Sequence, residues 1–147
     1  MSNASSCTIL SRRKVKDLLA LPSLYMVDTL FPRSSVATPR GIPEAVVVNF
    51  LNEHGVGMPK VDYVPCLVDE KTIADDVTID GDPVSVKDIR RWCNRKGYPI
   101  PHYRLSRNYR RFTPGVLEWW HSYIRSGVYV DFRRYTIGAQ PYLRKDA

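Results

Sequence analysis

Between positions 87 and 111 the chain gathers residues suited to gripping an acidic, hydrogen-bonding ligand. Lys87, Arg90, Arg91, Asn94 and Arg95 fall within nine positions, and Arg104, Arg107, Arg110 and Arg111 follow within eight. A guanidinium is a planar fork of donors that fits phosphate, carboxylate or the O6 and N7 acceptors of guanine. An asparagine amide matches the donor and acceptor edge of adenine. Four arginines on two short strands repel one another unless something negative meets them. This set therefore implies binding of a polyanion rather than bond-making chemistry.

No such chemistry is legible elsewhere. His54, His102 and His121 stand apart, with no acid and nucleophile at a recognisable spacing. Asp75, Asp76, Asp80 and Asp82 lack the twelve-residue calcium pattern and read as a solvated acidic turn. Cys7, Cys66 and Cys93 are odd in number and far apart, without metal-ligand or disulfide spacing. The expectation is a non-enzyme with no catalytic residue, no metal and no cofactor.

The elements that must position the basic set can be read from pattern. In SVKDIRRWCNRKG, Ser85 caps a helix and Asp88 completes an acidic capping box. Val86, Ile89 and Cys93, with Trp92 beside them, form its inner stripe, which leaves Lys87, Arg90, Arg91 and Asn94 outward. Gly97 is the expected stop, and Pro99 and Pro101 forbid continuation. HYRLSRNYRRF reads as two short strands about a polar Ser-Arg-Asn turn, a basic wing carrying the four later arginines. Thr113 and Pro114 open a last helix with Val116, Leu117, Trp120 and Ile124 inward, ended by Gly127. Trp92, Trp119, Trp120, Phe112 and Tyr109 are expected to build the core.

Upstream, Ser11 and Ser23 cap two short helices, one with Val15, Leu18 and Leu19 inward and the other with Leu24, Val27 and Leu30. Residues 31–42 read as a turn and small hairpin, and Pro43 and Glu44 open a helix that Gly55 ends. Residues 56–70 read as an extended connector. Residues 71–82 are ambiguous: Ile73, Ala74 and Val77 suit one helix face, and Asp-Gly-Asp marks a turn. Residues 128–137 alternate as a strand does, and the tail to 147 follows. Arg40 and Pro43 precede Arg111 and Pro114 by 71 residues, a faint internal echo. The organisation is thus a first unit at 1–55, a connector at 56–70, a second unit at 71–127, and a C-terminal strand and tail at 128–147.

Charge follows these divisions. The net charge of +7 is unevenly spread: residues 56–85 carry seven acidic and two basic groups, whereas residues 86–147 carry fourteen basic and four acidic. Such asymmetry places a polyanion partner on the C-terminal part, with a merely solvated surface as the plain alternative. No run is apolar enough to span a membrane. The N-terminal stretch lacks the form of a secretory signal, so a cytoplasmic location is expected.

The run S-V-K-D-I-R-R-W-C-N-R-K-G-Y-P-I-P, the basic wing and Y-R-R-F-T-P-G-V-L-E-W-W resemble the excisionase and MerR-like winged helix-turn-helix families, including the AlpA-type phage regulators. Residues 11–54 are similar more faintly, through Phe31-Pro32 and R-G-I-P-E-A-V-V-V-N-F-L. The resemblance implies a mainly α fold with small β wings, in tandem winged helix-turn-helix units. It implies sequence-specific binding of double-stranded DNA in a bacterial host cell, as an excision factor or transcription regulator of a phage or mobile element. The partners would be DNA, an integrase or other phage protein, and a second copy of the chain. A terminase small-subunit-like packaging role and a winged-helix protein adaptor are the alternatives.

Overall fold

The computed structural model describes residues 8–32 and 41–127. Most of the hairpin expected at 31–42, and the whole strand and tail expected at 128–147, lie outside those residues. The described residues form six helices and small antiparallel sheets, a mixed α/β architecture.

Side-chain caps set most helix starts. In α1 (Arg12–Leu18) Ser11 accepts the Lys14 N–H at 3.0 Å, and in α2 (Leu24–Leu30) Ser23 accepts that of Met26 at 3.3 Å. Each bond satisfies a donor that the first helical turn leaves orphaned. Arg12 then clasps Asp28 through two hydrogen bonds of 2.8 and 2.6 Å, tying α1 to α2. The strand β1 (Ile9–Leu10) pairs with β2 (Ile42–Pro43), which runs straight into α3 (Glu44–His54). Gly41 makes that approach possible, since at its φ of 148° a Cβ would lie 2.1 Å from the Leu10 carbonyl oxygen. The β-branched Val46 to Val48 are helical here because Val47, Val48 and Leu51 bury on one side of α3.

After β3 (Gly55–Val56) the chain is extended to Asp69 but well anchored. The Asn52 side chain bonds both the N–H and C=O of Val61, each at 2.9 Å. Leu67 donates its N–H to the Leu18 carbonyl, and Val68 and Phe112 exchange two backbone bonds. The ambiguous stretch becomes α4 (Glu70–Asp76), capped by Asp69, followed by the hairpin of β4 (Thr78–Ile79) and β5 (Asp82–Pro83). Asp80 and Gly81, with φ of 53° and 86°, form its turn, as an Asp-Gly pair favours.

The capping box of Ser85 and Asp88 opens α5 (Val86–Cys93). It ends four residues before the expected stop at Gly97. Asn94 is the C-cap, the left-handed position falls on Tyr98 (φ 52°), and Ile100 donates its N–H back to the Trp92 carbonyl at 3.4 Å. Next come β6 (His102–Ser106) and β7 (Tyr109–Arg111), turning at Arg107 and Asn108. The last helix, α6 (Val116–Ser126), begins later than Thr113 and Pro114 suggest. Gly115, at φ 83°, is its N-cap, and the Thr113 hydroxyl is buried without a hydrogen-bond partner. Gly127, at φ 74°, ends it as expected.

Two hydrophobic clusters result. One holds Val15, Leu19, Val27, Phe31, Ile42, Val47 and Leu51 from the first half, yet also Tyr103 and Leu105 from β6. The other holds Ile73, Ile89, Cys93, Ile100, Phe112, Val116, Leu117 and Trp120. The three-stranded sheet, in the order β3-β6-β7, pairs Gly55 with Tyr103 and Val56 with His102. The hairpin read as a wing of the second unit is therefore also a wall of the first core.

Candidate functional site

The basic residues divide by what they touch. On α5, Ile89 and Cys93 are buried, while Lys87, Arg90, Arg91 and Asn94 are exposed, as their spacing requires. Arg91 pairs with Asp88 at 2.7 Å, three residues back on the same helix. Asn94 accepts a hydrogen bond from Arg104 at 3.0 Å, which joins the end of α5 to the face of β6. Arg95 is exposed, with its guanidinium 5.6 Å from the centre of the Trp120 ring. Lys96 beside it is also exposed, as is Arg107 at the hairpin tip. Among the described residues Lys87, Arg95, Lys96, Arg104 and Arg107 form no ion pair with a carboxylate.

Arg110 and Arg111 require a correction. Both were expected on an exposed wing, and both are buried, at 9% and 6% exposure. Neighbouring strand residues point to opposite faces, so alternation alone would hide at most one of them. Both disappear because each face of this hairpin is covered. Arg110 faces Glu70 at 3.6 Å. Arg111 donates from Nε to the carbonyls of Leu19 and Ala20, at 3.2 and 2.9 Å, and from Nη1 to that of Arg110 at 2.9 Å. Burial lowers the Arg111 pKa, against the opposing pull of Asp69 and Glu70. Arg110 is turned inward to Glu70, and Arg111, though held by backbone carbonyls, lines part of an open cleft.

Glu70 is the residue that sequence reasoning missed. It opens α4, only 7% exposed, and its carboxylate takes Arg90 and Arg110 together. Arg90 donates Nε to both carboxylate oxygens at 3.1 Å and Nη2 to Oε1 at 3.0 Å. That hydrogen bonding, aided by charge and opposed by burial, raises the Arg90 pKa. The partners lie 20 and 40 residues downstream, so no local pattern announces them. Glu70, Arg90 and Arg111 themselves line that open cleft of about 270 Å³, with Asp69, Asn108 and Tyr109 among its other walls.

Beneath the basic face lie two groups held neutral. Burial pushes the Cys93 thiol up to about 12. His102 is pushed down to about 4, chiefly by burial and further by the charges of Arg104 and Arg110, against the bond at Ile100. Its Nδ1–H donates to the Ile100 carbonyl at 2.8 Å, and Nε2 has no partner. A histidine whose folded pKa lies below its unfolded value of 6.5 stays uncharged while the unfolded chain takes up a proton. Stability is therefore expected to fall as pH drops from 6.5 toward 4, by about 3 kcal/mol in all. Urea midpoints measured between pH 7 and 4.5 check this, and His102→Gln should flatten the profile. Asp69 contributes separately and at lower pH. Burial would raise its pKa, but the bonds from Thr72 and the charges of Arg111 and Lys71 hold it below its ordinary value.

Among the described residues no three His, Cys, Asp or Glu side chains gather as metal ligands would, and no helix is long and apolar enough to cross a membrane. The arrangement suits recognition: a helix with four outward hydrogen-bonding side chains, flanked by unpaired cations on a neighbouring hairpin and loop. Comparison with models of known protein families, with curated proteins and with solved structures finds no match for the chain.

Proposed function

We propose that the protein binds double-stranded DNA in a sequence-specific manner, with α5 in the major groove and the tip of the β6–β7 hairpin against the backbone. The observation that carries this reading is the outward row of Lys87, Arg90, Arg91 and Asn94, locked to the hairpin through the Arg104–Asn94 bond. An α-helix fits the major groove, where arginine and asparagine distinguish base pairs. Arg95, Lys96, Arg104 and Arg107 are the phosphate contacts. The order α4, β4–β5, α5, β6–β7, α6 is compatible with a winged helix-turn-helix in which a small hairpin replaces the turn between the first two helices, and we read α1 to α3 as a weaker second copy, so the tandem arrangement belongs to this proposal. By the same resemblance the biological role is that of an excision factor or transcription regulator of a phage or mobile element.

A salt-titrated gel shift on random and enriched duplexes tests the reading. Four phosphate contacts predict an affinity loss on the order of 10²-fold between 50 and 200 mM salt. Arg91→Glu should reduce sequence preference. Arg107→Ala should weaken all duplexes alike and reduce the salt slope by about 1. Absence of binding at low salt would refute the proposal, whereas steep salt dependence without sequence preference would point to an architectural role.

A further inference from the structure

Glu70 holds one edge of the Arg90 guanidinium. Nε and Nη2 are committed to the carboxylate at 3.0–3.1 Å, while Nη1 makes no hydrogen bond among the described residues. A guanidinium has five N–H donors in a plane. One Nη1 hydrogen and the second Nη2 hydrogen therefore remain as a parallel pair on the adjoining, end-on edge. The Arg90 side chain is 55% exposed and that of Glu70 only 8%, so the gripped edge is inside and the free edge is turned outward. Glu70 is itself fixed, at the first position of α4 with Arg110 behind it at 3.6 Å. An unrestrained arginine must freeze its long side chain on binding, and one already anchored at Nε has less freedom to lose.

We propose that Glu70 is a positioning residue that presets Arg90 as a fork for one guanine in the major groove, meeting its O6 and N7. The inference rests on the DNA-binding reading above. Guanine is favoured over phosphate by charge. A carboxylate on the adjoining edge of the same guanidinium repels a phosphate but is compatible with a neutral, acceptor-rich base edge. Lys87, Arg95 and Arg107, which have no carboxylate partner among the described residues, are better suited to the backbone. Asn94, one turn along α5, is oriented in the same manner by Arg104, and would read the adjoining step.

The test begins with the wild-type protein on duplexes selected from a random pool. At the preferred guanine, 7-deazaguanine removes only the N7 acceptor and should weaken binding about 10-fold. Inosine removes only the minor-groove amino group and should leave binding within about 2-fold. Arg90→Lys keeps the charge but loses the preset fork and should shrink the 7-deazaguanine penalty, and Arg90→Ala should abolish it. Glu70→Gln should bind non-cognate duplex more tightly, having shed a negative charge, yet discriminate about 10-fold less. A purely structural role would not move those two quantities in opposite directions. Because Glu70 also supports Arg110, Glu70→Asp, which keeps the negative charge beside Arg110 but shortens its reach to Arg90, is the second variant: it should discriminate less without binding non-cognate duplex more tightly.

Duplex binding without a guanine preference, or indifference to 7-deazaguanine, overturns the fork and leaves DNA binding intact. Full discrimination by folded Glu70→Gln and Glu70→Asp overturns the role of Glu70 alone. Failure to bind any duplex at low salt overturns the DNA-binding reading, and this inference with it.

Discussion

Glu70→Ala is expected to lower the unfolding free energy by about 3–5 kcal/mol, the usual cost of removing one partner from a buried ion pair. The loss comes from Arg110 rather than Arg90. Arg90 is more than half exposed and can turn into water, whereas the Arg110 side chain is 11% exposed and its Nε already lacks a partner. Without the carboxylate, a buried cation has nothing to balance it. Replacing both members, Glu70→Leu with Arg110→Met, should recover most of the stability, because the desolvation cost of the pair disappears with its attraction. Urea unfolding followed by tryptophan fluorescence measures both variants. A loss below about 1 kcal/mol for Glu70→Ala would mean that water screens the group as it does at a surface.

Tyr103→Ala should cost about 3–5 kcal/mol, in the range of large-to-small aromatic deletions, and the form of the transition matters as much as its size. Tyr103 is 1% exposed and packs with the first core, yet its strand flanks the second. Far-UV circular dichroism should report loss of the whole helical content at one lowered midpoint, and fluorescence of Trp92 and Trp120, isolated by Trp119→Phe in both proteins because Trp119 packs against both cores, should give the same value. Both tryptophans lie in or against the second core, where Tyr103 does not belong. If that fluorescence kept its wild-type midpoint while part of the dichroism was lost early, the two cores would be independent.

What the sequence revealed was local. Serine three residues ahead of a helical N–H is a short-range geometry, so the starts of α1, α2 and α5 could be read directly, as could the outward row on α5. The turn at Arg107 and Asn108 was equally plain. Boundaries set by returning chain were not. The end of α5 depends on Ile100 reaching back to Trp92, and the start of α6 depends on Gly115 taking a left-handed conformation after Pro114. The larger error concerned charge. A run of arginines looks like surface when each is weighed alone, and the burial of Arg110 and Arg111 is decided by Glu70, Leu19 and Ala20, which are 40 to 92 positions distant. The second-unit hairpin was legible, but the first core that closes against it was not.

The grip of Arg111 on the carbonyls after α1 has a consequence for how the chain is made. The first half is synthesised well before the strand that closes its core and the side chain that satisfies its helix end. Until β6 and β7 emerge, Leu19 and its neighbours have no wall to pack against. Contacts separated by some ninety residues are slow to form, since a long loop must close before they contribute. The nascent first half therefore leaves the ribosome with apolar surface uncovered, and protection from aggregation comes late, when position 111 is free to fold back.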